Sequence, residues 1–149
     1  MSHILFLVCQ LIIETSKEKN PANNHGVTPL HWAAQYGNAD ICQLILKNVE
    51  NKNPKDRYGG TPLHCAAIHG SKEICDLFLE NCDILDKNPK NHYGQTPLHW
   101  AAEHGHVEVC RSFLDILAVT DPQNNRSQTP KTLASRNNYN QIVNLFNEY

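Results

Sequence analysis

Three stretches of the chain share one arrangement of apolar and polar positions: DICQLIL from Asp40, EICDLFL from Glu73 and EVCRSFL from Glu108. In the second, Ile74, Leu77 and Phe78 fall at i, i+3 and i+4, the stripe of an amphipathic helix, and Glu73 in the first turn suits the positive end of the helix dipole. Ahead of each lies a shorter run of different character. In GGTPLHCAAIHG, from Gly59 to Gly70, Thr61 is suited to cap a helix and Pro62 to its first position, where the missing N–H costs nothing. Leu63, Ala66 and Ala67 give that helix a small-residue face, and Gly70 ends it where a positive φ is needed. The pattern predicts pairs of short helices. A pair this small cannot bury its own apolar face, so its stability must come from stacking on other pairs.

The short run recurs. Thr28, Thr61 and Thr96 each begin TPLH and Thr129 begins the weaker copy TPKT, at intervals of 33, 35 and 33 residues. HGVTPLHWAAQYG, YGGTPLHCAAIHG and YGQTPLHWAAEHG align without a gap, and KNP recurs upstream at Lys19, Lys52 and Lys87. These motifs resemble the ankyrin repeat, and the resemblance covers nearly the whole chain. It implies an all-α fold: an ankyrin-repeat solenoid of stacked helix-turn-helix pairs with projecting β-hairpin or turn loops. The stretches DRYG, NHYG and NNHG, ending in Gly59, Gly94 and Gly26, would be the finger tips, with glycine at the left-handed position of a tight turn.

The chain reads as one domain, residues 1–149: a truncated repeat at 1–20, repeats at 21–53, 54–88 and 89–121, and a degenerate capping repeat at 122–149. VCQLII from Val8 matches ICQLIL from Ile41 at a spacing of 33, which makes the first segment an outer helix with no TPLH helix before it. Ile4, Leu5, Phe6 and Leu7 replace the polar opening of a full repeat. They predict uncovered apolar surface, and with it a fragment of a longer array or a chain that forms a homo-oligomer through its N-terminal end. The interval of 35 places two extra residues near Ile84 and Leu85, in a longer loop. In the last repeat Ser127 replaces the finger glycine, Asn138 the helix-ending glycine, Thr132 the histidine and Lys131 the leucine. Asn138 tolerates left-handed backbone, whereas Ser127 puts the geometry of the last finger in question.

Charge and candidate chemistry add little to this picture. A net charge of -2, from 13 basic and 15 acidic residues, gives no footprint for nucleic acid. The apolar run Ile4–Ile13 is shorter than the roughly 18 residues of a membrane span and lacks the flanks of a signal peptide, so no membrane partner is expected and the cytoplasm or nucleus is the expected location. Cys9, Cys42, Cys75 and Cys110 share one repeat position on successive outer helices, about 8–10 Å apart and too far for a disulfide, so free thiols acting as small buried hydrophobes are expected. Cys65 stands where Trp32 and Trp100 stand, a packing substitution, and neither it nor Cys82 has zinc-site spacing. The resemblance implies that His31, His64 and His99 bond their threonines and the finger backbone, which favours a structural over a general-base role. His104 and His106 lack further metal ligands nearby. No phosphate loop, nucleophile elbow or HExxH motif is present, so neither catalysis nor a cofactor is expected.

What remains is recognition of a protein or peptide on the concave side, by an adaptor or an inhibitor, with self-assembly of an array fragment as the alternative. Residues that the repeat leaves free are the candidate contacts. On the fingers these are Asn24, His25 and Val27; Arg57 and Tyr58; His92, Tyr93 and Gln95; and Asn125 and Arg126. At the ends of the inner helices they are Gln35 and Tyr36, Ile68 and His69, and Glu103 and His104. His25, Tyr58 and Tyr93 form one line and Tyr36, His69 and His104 another, and tyrosine and arginine make good interface anchors. Packing of Tyr58 and Tyr93 against neighbouring fingers is an equal alternative. Trp32 and Trp100 are expected to be partly buried.

Overall fold

The computed structural model describes residues 3–81 and 87–149, the side chains of 3–6, 8, 9 and 81 excepted. The extra residues near Ile84 and Leu85, the side chains of Ile4, Leu5, Phe6 and Cys9, and Cys82 lie outside that description. In chain order the helices are α1 His3–Thr15, α2 Pro29–Gln35, α3 Ala39–Asn48, α4 Pro62–Ile68, α5 Lys72–Asn81, α6 Pro97–Glu103, α7 Val107–Leu114, α8 Pro130–Arg136 and α9 Asn140–Glu148. The inner helices stack in file, α2 on α4 on α6 on α8, and the outer helices do the same, α1 on α3 on α5 on α7 on α9. Each inner helix also packs on the outer helix that follows it. Two parallel layers result, with the core between them.

The inner layer is thin because its buried side chains are small. Leu30, Leu63 and Leu98 are fully buried, and the alanine pairs 33/34, 66/67 and 101/102 let one seven-residue helix approach the next closely. The outer layer supplies the bulk. Ile74, Cys75, Phe78 and Leu79 of α5 are buried, as are Val109, Cys110, Phe113 and Leu114 of α7. Leu77 departs from the expected stripe: it is only partly buried, and Leu79 takes its place in the core. The inner helix and the two flanking outer helices together cover a wider arc than an i, i+3, i+4 stripe specifies, and that arc is centred between Phe78 and Cys75.

Cys42, Cys75 and Cys110 are free and fully buried, and burial pushes each thiol up to about 12. They are therefore neutral packing atoms near neutral pH. Among the described residues there is no β-strand. The fingers are turns, each closed by two short-range backbone bonds, such as those from Asp56 N–H to the Gly60 carbonyl at 2.8 Å and from Gly59 N–H to the Asp56 carbonyl at 2.9 Å.

At the first end, α1 packs on α3 as the resemblance implies, but its apolar residues are less covered than their counterparts. Ile12 is 55% exposed where the equivalent Ile45 is 1% exposed, because no inner helix backs α1. Leu7 and Leu11 are also exposed, and among the described side chains of α1 only Ile13 is buried. At the other end, Ser127 at φ 56° and Asn138 at φ 63° hold the same left-handed turns as the glycines they replace. The last finger therefore keeps its geometry despite the serine. In the interior a side chain would collide as well as strain. A Cβ on Gly94 would lie 2.8 Å from the Asn125 backbone nitrogen, and one on Gly70 would lie 2.5 Å from Nδ1 of His106 in the next repeat. Ser127 faces no further finger of this chain, so only the cost in φ remains.

Candidate functional site

Each finger is built by one side chain. Oδ1 of Asn23, Asp56, Asn91 and Asn124 accepts two amide hydrogen bonds, from the residues two and four positions on, at 2.8–3.1 Å. This Asx clamp fixes the turn. The tips are then joined to one another: the carbonyls of His25, Tyr58 and Tyr93 accept from the amides of Arg57, His92 and Asn125 at 2.9–3.0 Å. Because the backbone groups bond along the row of tips, the side chains at these positions share one exposed edge.

The TPLH residues tie each finger to the helix beneath it. The amides of Thr28, Thr61 and Thr96 donate to Nδ1 of His31, His64 and His99 at 3.1–3.2 Å. An amide only donates, so Nδ1 is the bare nitrogen and Nε2 carries the proton. Nε2–H then donates across the repeat boundary to the carbonyls of Gly60, Gln95 and Gln128, at 3.3, 3.1 and 3.1 Å. Burial holds all three imidazoles below their ordinary value, His64 at about 4, while the bond to the Gln95 carbonyl acts the other way and is the smaller effect. The Thr61 hydroxyl lies 3.0 Å from Nδ1, a spacing that a nucleophile and its base would also show. Here both ring nitrogens are engaged and the pair is buried, so neither atom is available to a substrate. In the last repeat Thr132 keeps the cap, its hydroxyl accepting from the Thr129 amide at 2.8 Å, but it has no ring to reach onward.

The sixteen candidate residues all lie on the exposed edge or beside it. Asn24, His25, Arg57, Tyr58, His92, Tyr93, Asn125 and Arg126 are exposed, and Val27 and Gln95 are half-buried. Along the inner helices Tyr36, His69 and His104 are exposed, while Gln35, Ile68 and Glu103 are half-buried. Tyr58 is 52% and Tyr93 56% exposed, so packing on neighbouring fingers covers only about half of each. Arg57 lies over the Tyr58 ring, 5.3 Å from its centroid, and donates to Nδ1 of His25 at 2.7 Å. Glu103 is paired with Arg136 at 3.0 Å. Trp32 is more exposed than expected and stacks on Tyr36, whereas Trp100 is half-buried and stacks on His104.

These rows bound a groove of about 410 Å³, with Tyr58 and Tyr93 on its finger side and Cys65, Ile68 and Trp100 on its helix side. Its neighbour of about 380 Å³ shares Tyr93 and Gln95 and continues to Asn124, Asn125 and Arg126. A third hollow, of about 440 Å³, lies on the opposite side of the stack between α3 and α5, lined largely by charged residues including Asp40, Glu73, Asp76 and Glu80. Charge divides the same way. Fingers and inner helices carry Lys55, Arg57, Lys90, Arg126, Lys131 and Arg136 against Asp56 and Glu103. The outer helices carry Glu14, Asp40, Glu73, Asp76, Glu80, Glu108 and Glu148 against Lys47, Lys72 and Arg111.

Some of this was missed in the sequence. The clamp residues recur three positions before the left-handed residue of each finger, yet they are Asn in three fingers and Asp in one and attract no notice beside TPLH. His106 is another: its Nε2–H donates to the Ile68 carbonyl at 2.9 Å, a second tie between repeats rather than half of a metal pair.

The family model for ankyrin repeats, in a three-copy form, matches residues 3–91 and 84–149, and the chain belongs to the ankyrin-repeat family. Members of that family are generally modules of protein–protein interaction. No curated protein matches the chain. Among the described residues no helix is long and apolar enough to cross a membrane.

Proposed function

We propose that this chain is a non-catalytic module that holds a protein or peptide on its concave face, as an adaptor or an inhibitor. The observation that carries the proposal is the groove beside Tyr58 and Tyr93: half-exposed aromatic rings border an apolar floor on the side where the repeat leaves side chains unconstrained. Large side chains with a polar end make strong contacts at small entropic cost. The TPLH histidines are engaged at both ring nitrogens within the array, which supports binding over chemistry. Replacing Arg57, Tyr58 and Tyr93 together by alanine should abolish capture of a partner that the parent chain retains, with the melting temperature nearly unchanged. Retained capture, or an equal fall in stability, would refute the concave-face reading.

The exposed Leu7, Leu11 and Ile12 favour a second reading, association of copies through α1. Sedimentation of the chain should then show a dimer that Leu11→Glu dissociates. A monomer at all concentrations excludes it.

A further inference from the structure

We propose that the groove's occupant is an extended acidic segment of a partner protein, with one large apolar or aromatic residue seated between Tyr58 and Tyr93. This rests on the concave-face reading above and deepens it. The floor formed by Ile68 and Trp100 and the walls formed by the two tyrosines suit an apolar anchor. Main-chain recognition by strand addition is ruled out at the tips. Their amides already donate to the Asx clamps or to the preceding finger, and the carbonyls of Tyr58 and Tyr93 accept from the next one. Affinity must come from buried side chains and from charge.

Unpaired cations flank the groove on both sides. Arg57 flanks it on the second finger and Arg126 lies beyond Tyr93 on the fourth, and neither has a carboxylate within 4 Å among the described residues. Of the acids nearby, Glu103 is paired with Arg136, while Asp56, a carboxylate that lines the groove, has one oxygen held in its own finger by the Tyr58 and Gly60 amides. The acidic outer helices lie on the opposite side, so the field of the stack turns its concave face toward an acidic chain. At roughly 10 Å per repeat the two arginines are about 20 Å apart, a span of about six extended residues. The recognised segment therefore carries acidic residues on both sides of its anchor.

The test is fluorescence anisotropy of the full chain with labelled peptides of about twelve residues, enough to overrun that span. The first has a central Phe between acidic flanks; the others replace the flanks by Gln or by Lys, or the Phe by Ser. A single-stranded oligonucleotide of similar length is the further arm. The acidic Phe peptide should bind at least about tenfold tighter than each of the others, and added salt should weaken it. Arg57→Glu with Arg126→Glu should erase the preference for acid, and Tyr93→Ala should weaken binding of every peptide. Both variants should melt like the parent chain.

Equal binding of the Gln or Lys peptides overturns the acidic assignment; if Tyr93→Ala still weakens them, the groove itself stands. Acidic binding that neither variant alters removes the groove as well. Tighter binding of the oligonucleotide, or binding by none of the probes, also overturns the proposal.

Discussion

His64 and His69 sit five residues apart on one inner helix and its end, yet the fold uses them differently. His64 is buried, accepts a hydrogen bond from the Thr61 amide at Nδ1 and donates one from Nε2–H to the Gln95 carbonyl of the next finger. His69 is exposed; its Nδ1 bonds the Cys65 carbonyl one turn back at 2.9 Å, and among the described residues no bond from its ring crosses to another repeat. The first position repeats as histidine in three units because each must reach the following finger. The second varies through Tyr36, His69 and His104, all exposed, because packing leaves it open; in the last repeat it becomes Asn137, which is half-buried and donates back to the Glu103 carbonyl at 2.8 Å. A repeat protein thus divides its surface into residues that hold the next unit and residues that can address a guest.

The most damaging way to break the array is through the core beneath both positions. Phe78→Ala, fully buried in α5, should cost about 3–5 kcal/mol by chemical unfolding, with a cavity between three helices. Leu77→Ala, half-buried, should cost clearly less.

Next in size is the histidine tie. His64→Thr copies what Thr132 does naturally: it keeps the cap and drops the cross-repeat bond, at a cost of about 1–3 kcal/mol from the abandoned Gln95 carbonyl. His69→Thr should change stability by no more than about 0.5 kcal/mol. The parent chain should also be acid-sensitive. Its folded His64 binds a proton less readily than the unfolded one, so the unfolded state takes up more protons as pH falls. The stability that His64 contributes is complete above pH 6.5 and is lost between 6.5 and about 4, amounting to about 3 kcal/mol. His64→Thr should flatten that part of the pH profile.

The smallest effect lies at the last repeat. Asn138→Gly and Ser127→Gly relieve positive-φ backbone at positions that no further finger of this chain crowds, so each should gain up to about 1 kcal/mol by thermal unfolding. Gly94→Ser in the interior should lose stability, since the added Cβ meets Asn125.

How much of this the sequence reveals depends on whether a feature is local. Pro62 at the first helical position, the left-handed Gly59 and Gly70, and the shared register of Cys42, Cys75 and Cys110 follow from spacing and backbone sterics, and they appear in the structure. The exchange of Leu77 for Leu79 in the core does not, because the width of a buried stripe depends on how many neighbours surround the helix. Trp32 is exposed and Trp100 half-buried at one register position, a difference set by the units on either side. The groove was partly legible. Its tyrosines were visible as unmatched letters, but its floor of Ile68 and Trp100 requires two helices from different repeats.

The division between holding and binding residues meets its most direct test at His64, by nitrogen–proton correlation spectra of the imidazole as pH is lowered. A neutral ring protonated at Nε2, persisting to about pH 4, is the predicted result. A ring that titrates near 6.5, or that carries its proton on Nδ1, would contradict it.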